Sequence, residues 1–93
     1  MNNNYCNLHG KVRGRVQGVG YRAWFKKNAD KLKIFGWVKN CSDKSVEFEI
    51  YAEKVALDKL IEKCYQGPLF CKVEEIIITK KPKEEFTNFE IIY

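Results

Sequence analysis

Leu8-His9-Gly10-Lys11-Val12-Arg13-Gly14-Arg15-Val16-Gln17-Gly18-Val19-Gly20-Tyr21-Arg22 is the stretch that decides how this chain folds. In its first part Leu8, Gly10, Val12, Gly14 and Val16 alternate with His9, Lys11, Arg13 and Arg15. That period of two marks a half-buried strand with one wet, basic face. Gln17-Gly18-Val19-Gly20 breaks the alternation, and its two glycines can take backbone angles closed to other residues, so a tight loop follows the strand. From Tyr21 the apolar positions become Tyr21, Phe25, Ala29 and Leu32, the spacing of one helix face. Arg22 therefore falls in the first turn of a helix that begins where the loop ends.

Working outward, Phe35 to Cys41 and Val46 to Ala52 read as two strands joined by the polar turn Ser42 to Ser45, a hairpin. In the second of these, Val46, Phe48 and Ile50 point inward while Glu47, Glu49 and Tyr51 are expected to face solvent. Lys54 to Gln66 places Leu57, Leu60, Ile61 and Cys64 at helical spacing, and Gly67-Pro68 is a stop signal. Two final strands are expected in Lys72 to Lys80, around Ile76-Ile77-Ile78, and in Asn88 to Tyr93, with Phe89, Ile91 and Tyr93 at period two. The order β-α-β-β-α-β plus a short C-terminal strand predicts an α+β, ferredoxin-like split βαβ sandwich, with an antiparallel sheet carrying both helices on one face. Residues 1–93 are expected to form one domain, with residues 1–6 a loose N-terminal extension.

Composition narrows the function classes. The chain is 45% hydrophobic and 14% aromatic, enough apolar surface to build a core. No apolar run approaches membrane-spanning length, and the N-terminus has no cationic stretch followed by an apolar one, so a cytoplasmic protein is expected. Cys6, Cys41, Cys64 and Cys71 show no paired C-x-x-C spacing and read as reduced thiols. The net charge of +5 favours anionic partners, either a phosphorylated small molecule or nucleic acid.

A strand that ends in a glycine loop and runs into a helix aims several backbone N–H groups and the positive helix end at one point, a nest suited to phosphate. The nest here spans Arg15, Val16, Gln17, Gly18, Val19 and Gly20, and the Arg22 guanidinium that follows can grip two phosphoryl oxygens at once. Taken alone, a glycine loop before a helix is only a turn. Asn40 lies at the end of the second strand on the face shared with Gly36 and Val38, and composition alone makes it a turn-starting residue. His9 sits on the wet face beside Lys11 and receives no role. No Asp, Glu and His cluster has metal-ligand spacing, so a metal hydrolase is not expected.

The strings Gly14-Arg15-Val16-Gln17-Gly18-Val19-Gly20-Tyr21-Arg22 and Gly36-Trp37-Val38-Lys39-Asn40 together resemble the two signature segments of the acylphosphatases. Asp43, Ser45-Val46-Glu47, Gly67-Pro68 and Phe89-Glu90-Ile91 extend the resemblance from about Leu8 to the end of the chain. The resemblance implies hydrolysis of carboxyl-phosphate anhydrides without metal or cofactor. It implies loop amides and Arg22 that bind phosphate, and an Asn40 amide that positions the attacking water. Inorganic phosphate is then expected as product and inhibitor, acting on a monomer with no nucleic-acid or membrane partner. An RNA-binding module of the same element order is the rival, but its stacking aromatics and Lys/Arg-Gly-aromatic signature are missing. The family usually has glycine where Lys33 and Lys44 stand, so each lysine is expected in left-handed geometry.

Overall fold

The computed structural model describes residues 4–93. Its elements run β1 (Tyr5–Arg15), α1 (Tyr21–Lys31), β2 (Phe35–Asn40), β3 (Val46–Glu53), α2 (Lys54–Cys64), β4 (Lys72–Lys81) and β5 (Phe89–Ile92). The five strands lie in the order β4-β1-β3-β2-β5. Antiparallel pairing sets Val12 opposite Val46, Gly10 opposite Phe48 and Leu8 opposite Ile50, and Val38 also faces Phe48. This row is the inward face that the alternation in the sequence predicts. Tyr21, Phe25 and Ala29 of α1 and Leu57, Leu60 and Cys64 of α2 close over it to form the core. Gly10 belongs to that packing, because a Cβ there would come within 2.1 Å of the Phe48 ring.

Three expectations need correction. Tyr5 and Cys6 pair with Glu53 and Ala52, so they belong to β1 and not to a loose extension over residues 1–6; residues 1–3 of that expectation lie outside the described residues. The sheet is mixed and not wholly antiparallel, since β5 runs parallel to β2 with Gly36 beside Phe89 and Val38 beside Ile91. Finally, Glu49 and Tyr51 do not face solvent: they are 8% and 3% exposed.

The second and third corrections share a cause. Because β4 and β5 occupy opposite edges, the segment 82–88 that joins them has to cross the face away from the helices. Asn7 on that face clamps the crossing, donating from Nδ2 to the Glu84 carbonyl (2.8 Å) and accepting at Oδ1 from the Glu84 N–H (2.6 Å). Tyr51 is the register neighbour of Asn7, and its ring lies 5.0 Å from that of Tyr5. The Asn7 end of a row that period-two reasoning assigns to water is therefore roofed by the chain's own return path.

Lys33 and Lys44 do adopt positive φ, 58° and 74°. At Lys33 the stop of α1 is completed by the Ile34 N–H donating to the Ala29 carbonyl (2.9 Å), and a glycine is the residue that fits such a stop without strain. Left-handed geometry costs a side-chain-bearing residue about 1–2 kcal/mol, of which the greater freedom of unfolded glycine returns about 0.5–1 kcal/mol. Lys33→Gly and Lys44→Gly are each expected to raise stability by about 0.5–1 kcal/mol, read as higher urea midpoints at unchanged slope.

Candidate active site

The site is built around the passage from β1 to α1. Val16 and Tyr21 are each 1% exposed and fix the two ends of the loop in the core. Between them Gly18 and Gly20 hold φ of 75° and 80° with open space where a Cβ would stand, so the backbone angle and not crowding requires glycine there. Among the described residues, the N–H groups of Gln17, Gly18, Val19 and Gly20 donate to no protein acceptor. Helix α1 starts with Gly20 at its N-cap, without a side-chain cap and without an acidic residue in the first turn. Unpaired N–H groups and the positive end of the helix dipole thus lie together on the loop side of α1.

A cavity of about 170 Å³ opens against that side, lined by Val16, Gly18, Gly20, Tyr21, Arg22, Ala23, Asn40, Ile91 and Tyr93. Among the described residues, Arg22 brings the one charged side chain to this lining. Asn40, at the end of β2, brings a side-chain oxygen that is buried and lacks a hydrogen-bond partner. Such an orphan acceptor costs roughly 1–3 kcal/mol unless a water or ligand hydrogen meets it. Tyr21 offers no proton to the cavity: its hydroxyl donates to the Cys64 carbonyl (2.7 Å), and burial pushes its pKa far up. Burial also pushes the Cys64 thiol up to about 12, which leaves it an inert part of the core.

Of the residues singled out in the sequence, Val16, Gly18, Gly20, Arg22 and Asn40 meet in this cavity. Arg15, Gln17 and Val19 do not line it. Arg15 is exposed and borders a neighbouring depression with Gln17, Gly18 and Lys44, while Val19 packs against the core. The Gln17 side chain turns away from the cavity, and its Nε2 donates to the carbonyls of Cys41 (2.9 Å) and Ser45 (2.8 Å). This bridge ties the glycine loop to the β2–β3 hairpin and so sets its distance from Asn40. The period-two pattern carried no sign of it, because a turn side chain that bonds to distant carbonyls leaves no periodic trace.

The hairpin is itself braced. Asp43 Oδ1 accepts from the Ser45 hydroxyl and from the Ser45 N–H (3.0 Å), and Oδ2 accepts from Lys11 (3.1 Å). Those bonds, the Ser45 hydroxyl first, hold the exposed Asp43 carboxyl well below its usual range. On the face away from the helices, the hydrogen bond from His9 keeps Glu47 charged to lower pH than usual. Among the described residues no three His, Cys, Asp or Glu side chains are grouped to hold a metal ion, and no helix is long and apolar enough to cross a membrane.

These features define a class: an α+β sandwich of ferredoxin-like plan with an arginine and unpaired amides where its first strand meets its first helix. The family model described as acylphosphatase matches residues 8–91, and the chain belongs to the acylphosphatase family. It is 37% identical over 87 residues to an acylphosphatase of Alcanivorax borkumensis, covering 89% of this chain and 95% of the relative. The solved acylphosphatase of Coxiella burnetii superposes with a TM-score of 0.94 at 31% identity, covering 98% of this chain and 96% of that one. The Bacillus subtilis acylphosphatase structure gives 0.91 at 39% identity, covering 94% and 98%.

Removing the Gln17 bridge leaves the Cys41 and Ser45 carbonyls with only their backbone donors, the Lys44 and Cys41 N–H groups, and frees the loop from the hairpin. Gln17→Ala is expected to lower stability by about 0.5–1.5 kcal/mol, the net value of a hydrogen bond whose acceptors keep other donors. At a temperature where the variant is still folded, kcat/KM for an acyl phosphate should fall about tenfold or more, because loop and Asn40 no longer keep their spacing. Denaturant titration alongside steady-state kinetics reads both effects.

Proposed function

We propose that this chain hydrolyses acyl phosphates to a carboxylate and inorganic phosphate, with Arg22 and the amides of the Arg15–Gly20 loop holding the phosphoryl group and Asn40 holding the attacking water. The observation that carries the reading is the convergence, in one cavity, of the Arg22 cation, the glycine loop with its unpaired N–H groups, and the unpartnered Asn40 oxygen. Guanidinium and amides are donors only, so they suit an anion. The Asn40 oxygen is an acceptor only, so it suits a hydrogen of water.

The chemistry agrees with what the cavity contains. Water oxygen forms a bond to phosphorus while the bond from phosphorus to the acyl oxygen breaks, and the electron pair leaves on a carboxylate. Its conjugate acid has a pKa of about 4, so it departs without a proton and no general acid is needed. A loose phosphoryl-transfer transition state asks for in-line positioning and for donors aimed at the phosphoryl oxygens. Since an amide is no base at neutral pH, the water's proton passes late in the reaction to a phosphoryl oxygen, which becomes far more basic as the new bond forms. Nothing in this scheme calls on a metal. Cytoplasmic location, a monomeric single domain and the absence of a nucleic-acid partner complete the reading.

Four comparisons test it. Inorganic phosphate should inhibit competitively, raising apparent KM and leaving kcat unchanged; a strictly noncompetitive pattern would put the anion elsewhere. Acetyl phosphate should turn over equally with and without chelator while alkyl phosphates hardly react, since an alkoxide leaving group needs an acid. Arg22→Ala should weaken phosphate inhibition and lower kcat, with little rescue by lysine, because a point charge lacks the fork of donors. Folded Asn40→Ala should keep its phosphate affinity while kcat falls about a hundredfold, the scale for loss of one positioned polar group. Near wild-type turnover in folded Asn40→Ala would remove the water-positioning role.

A further inference from the structure

Arginine carries a long, rotamer-rich side chain, and a phosphate-binding arginine is effective only if its plane is set before the ligand arrives. In this chain the groups that set it come from the far end of the sequence. The Arg22 Nη1 donates to the Ile92 carbonyl at 3.4 Å, and the guanidinium carbon lies 4.8 Å from the centroid of the Tyr93 ring. Ile91 and Tyr93 line the same cavity. The parallel register of β5 explains the placement, since Lys39 stands beside Ile92 and one further step brings Tyr93 level with Asn40.

We infer that Tyr93 is a positioning residue for the phosphoryl-binding arginine, an aromatic plate that fixes the plane of the Arg22 guanidinium. The inference rests on the reading of Arg22 given above. Geometry makes the two tasks compatible: the Arg22 guanidinium carbon sits over the ring, which covers one side of the cation and leaves N–H groups on its other sides free to donate. Ile92 takes one in-plane donor, and the remaining donors stay available for two phosphoryl oxygens. The ring also screens one side of the cation from water, which strengthens its attraction for an anion.

The same structure shows that Tyr93 has little else to do. It is 92% exposed and is set beside Arg22, in contrast to Tyr21 and Tyr51, which are buried. A residue that merely filled the core would be inside; one that served only solubility would not lie across the cavity's one cation.

The test uses the full chain with Tyr93→Ala, Tyr93→Phe and Tyr93→Leu, each alone and the first also with Arg22→Ala, assayed with acetyl phosphate and inorganic phosphate. Tyr93→Ala is expected to raise both KM and the inhibition constant of phosphate about threefold to tenfold, with kcat changed less than twofold and thermal midpoint unchanged. Phenylalanine, which keeps the ring face, should restore the wild-type values, and leucine, which keeps only apolar bulk, should not. In the Arg22→Ala background the Tyr93→Ala change should have no further effect. Unaltered phosphate affinity in Tyr93→Ala, full rescue by leucine, or the same loss with and without Arg22 would each overturn the positioning role. Should Arg22→Ala itself leave phosphate affinity intact, the phosphate assignment fails as well, so the two failures are distinguishable.

Discussion

Two buried side chains with only four residues between them govern this site. Val16 and Tyr21 are both held in the core, so the four intervening residues have to leave it and return within a span too short for regular structure. Positive φ at Gly18 and Gly20 makes that reversal possible, and the same angles turn the loop's N–H groups away from any internal acceptor. The unpaired donors follow from packing on either side of the loop. A side-chain cap at α1 would stabilise the helix by about 1 kcal/mol, but its oxygen would occupy the N–H groups of the first turn. Gly20 leaves them open.

The surroundings of the cavity hold charge in fixed places. Among the described residues Arg22 is the only ionised side chain that lines it, and Asp43, the acid of the adjoining turn, is committed to Ser45 and Lys11. The Tyr21 phenol and Cys64 thiol are kept protonated by burial. In the proposed reading a phosphoryl dianion meets this cation and these neutral donors. Gln17 and Asp43 act on the same hairpin from two sides, one through its carbonyls and the other through its turn, and together they carry Asn40 to a set distance from the loop.

Much of this was legible in the sequence because it depends on local periodicity. The alternation from Leu8 to Val16, the switch to helical spacing at Tyr21 and the glycine pair locate the loop and Arg22 directly, while the left-handed angles of Lys33 and Lys44 were expected from the resemblance to a family that usually has glycine at both places. What was not legible depends on contacts between distant segments. The parallel direction of β5 has no signature in Phe89, Ile91 and Tyr93, since parallel and antiparallel edge strands share the same period. The burial of Asn7 requires knowing that residues 82–88 cross the sheet, and that of Glu49 and Tyr51 depends on neighbours from other strands. The Gln17 bridge and the seat of Arg22 against Tyr93 likewise join residues that only the completed fold brings together.

The central claim is that water attacks phosphorus, not the acyl carbon, because the donors of the site converge on the phosphoryl group. Hydrolysis of acetyl phosphate by this chain in water enriched in oxygen-18, followed by mass analysis of both products, tests it most directly. The account predicts one labelled oxygen in inorganic phosphate and none in acetate. Label in acetate would mean attack at the carbonyl carbon with phosphate as leaving group, and would contradict the roles given to Arg22, the loop and Asn40 together.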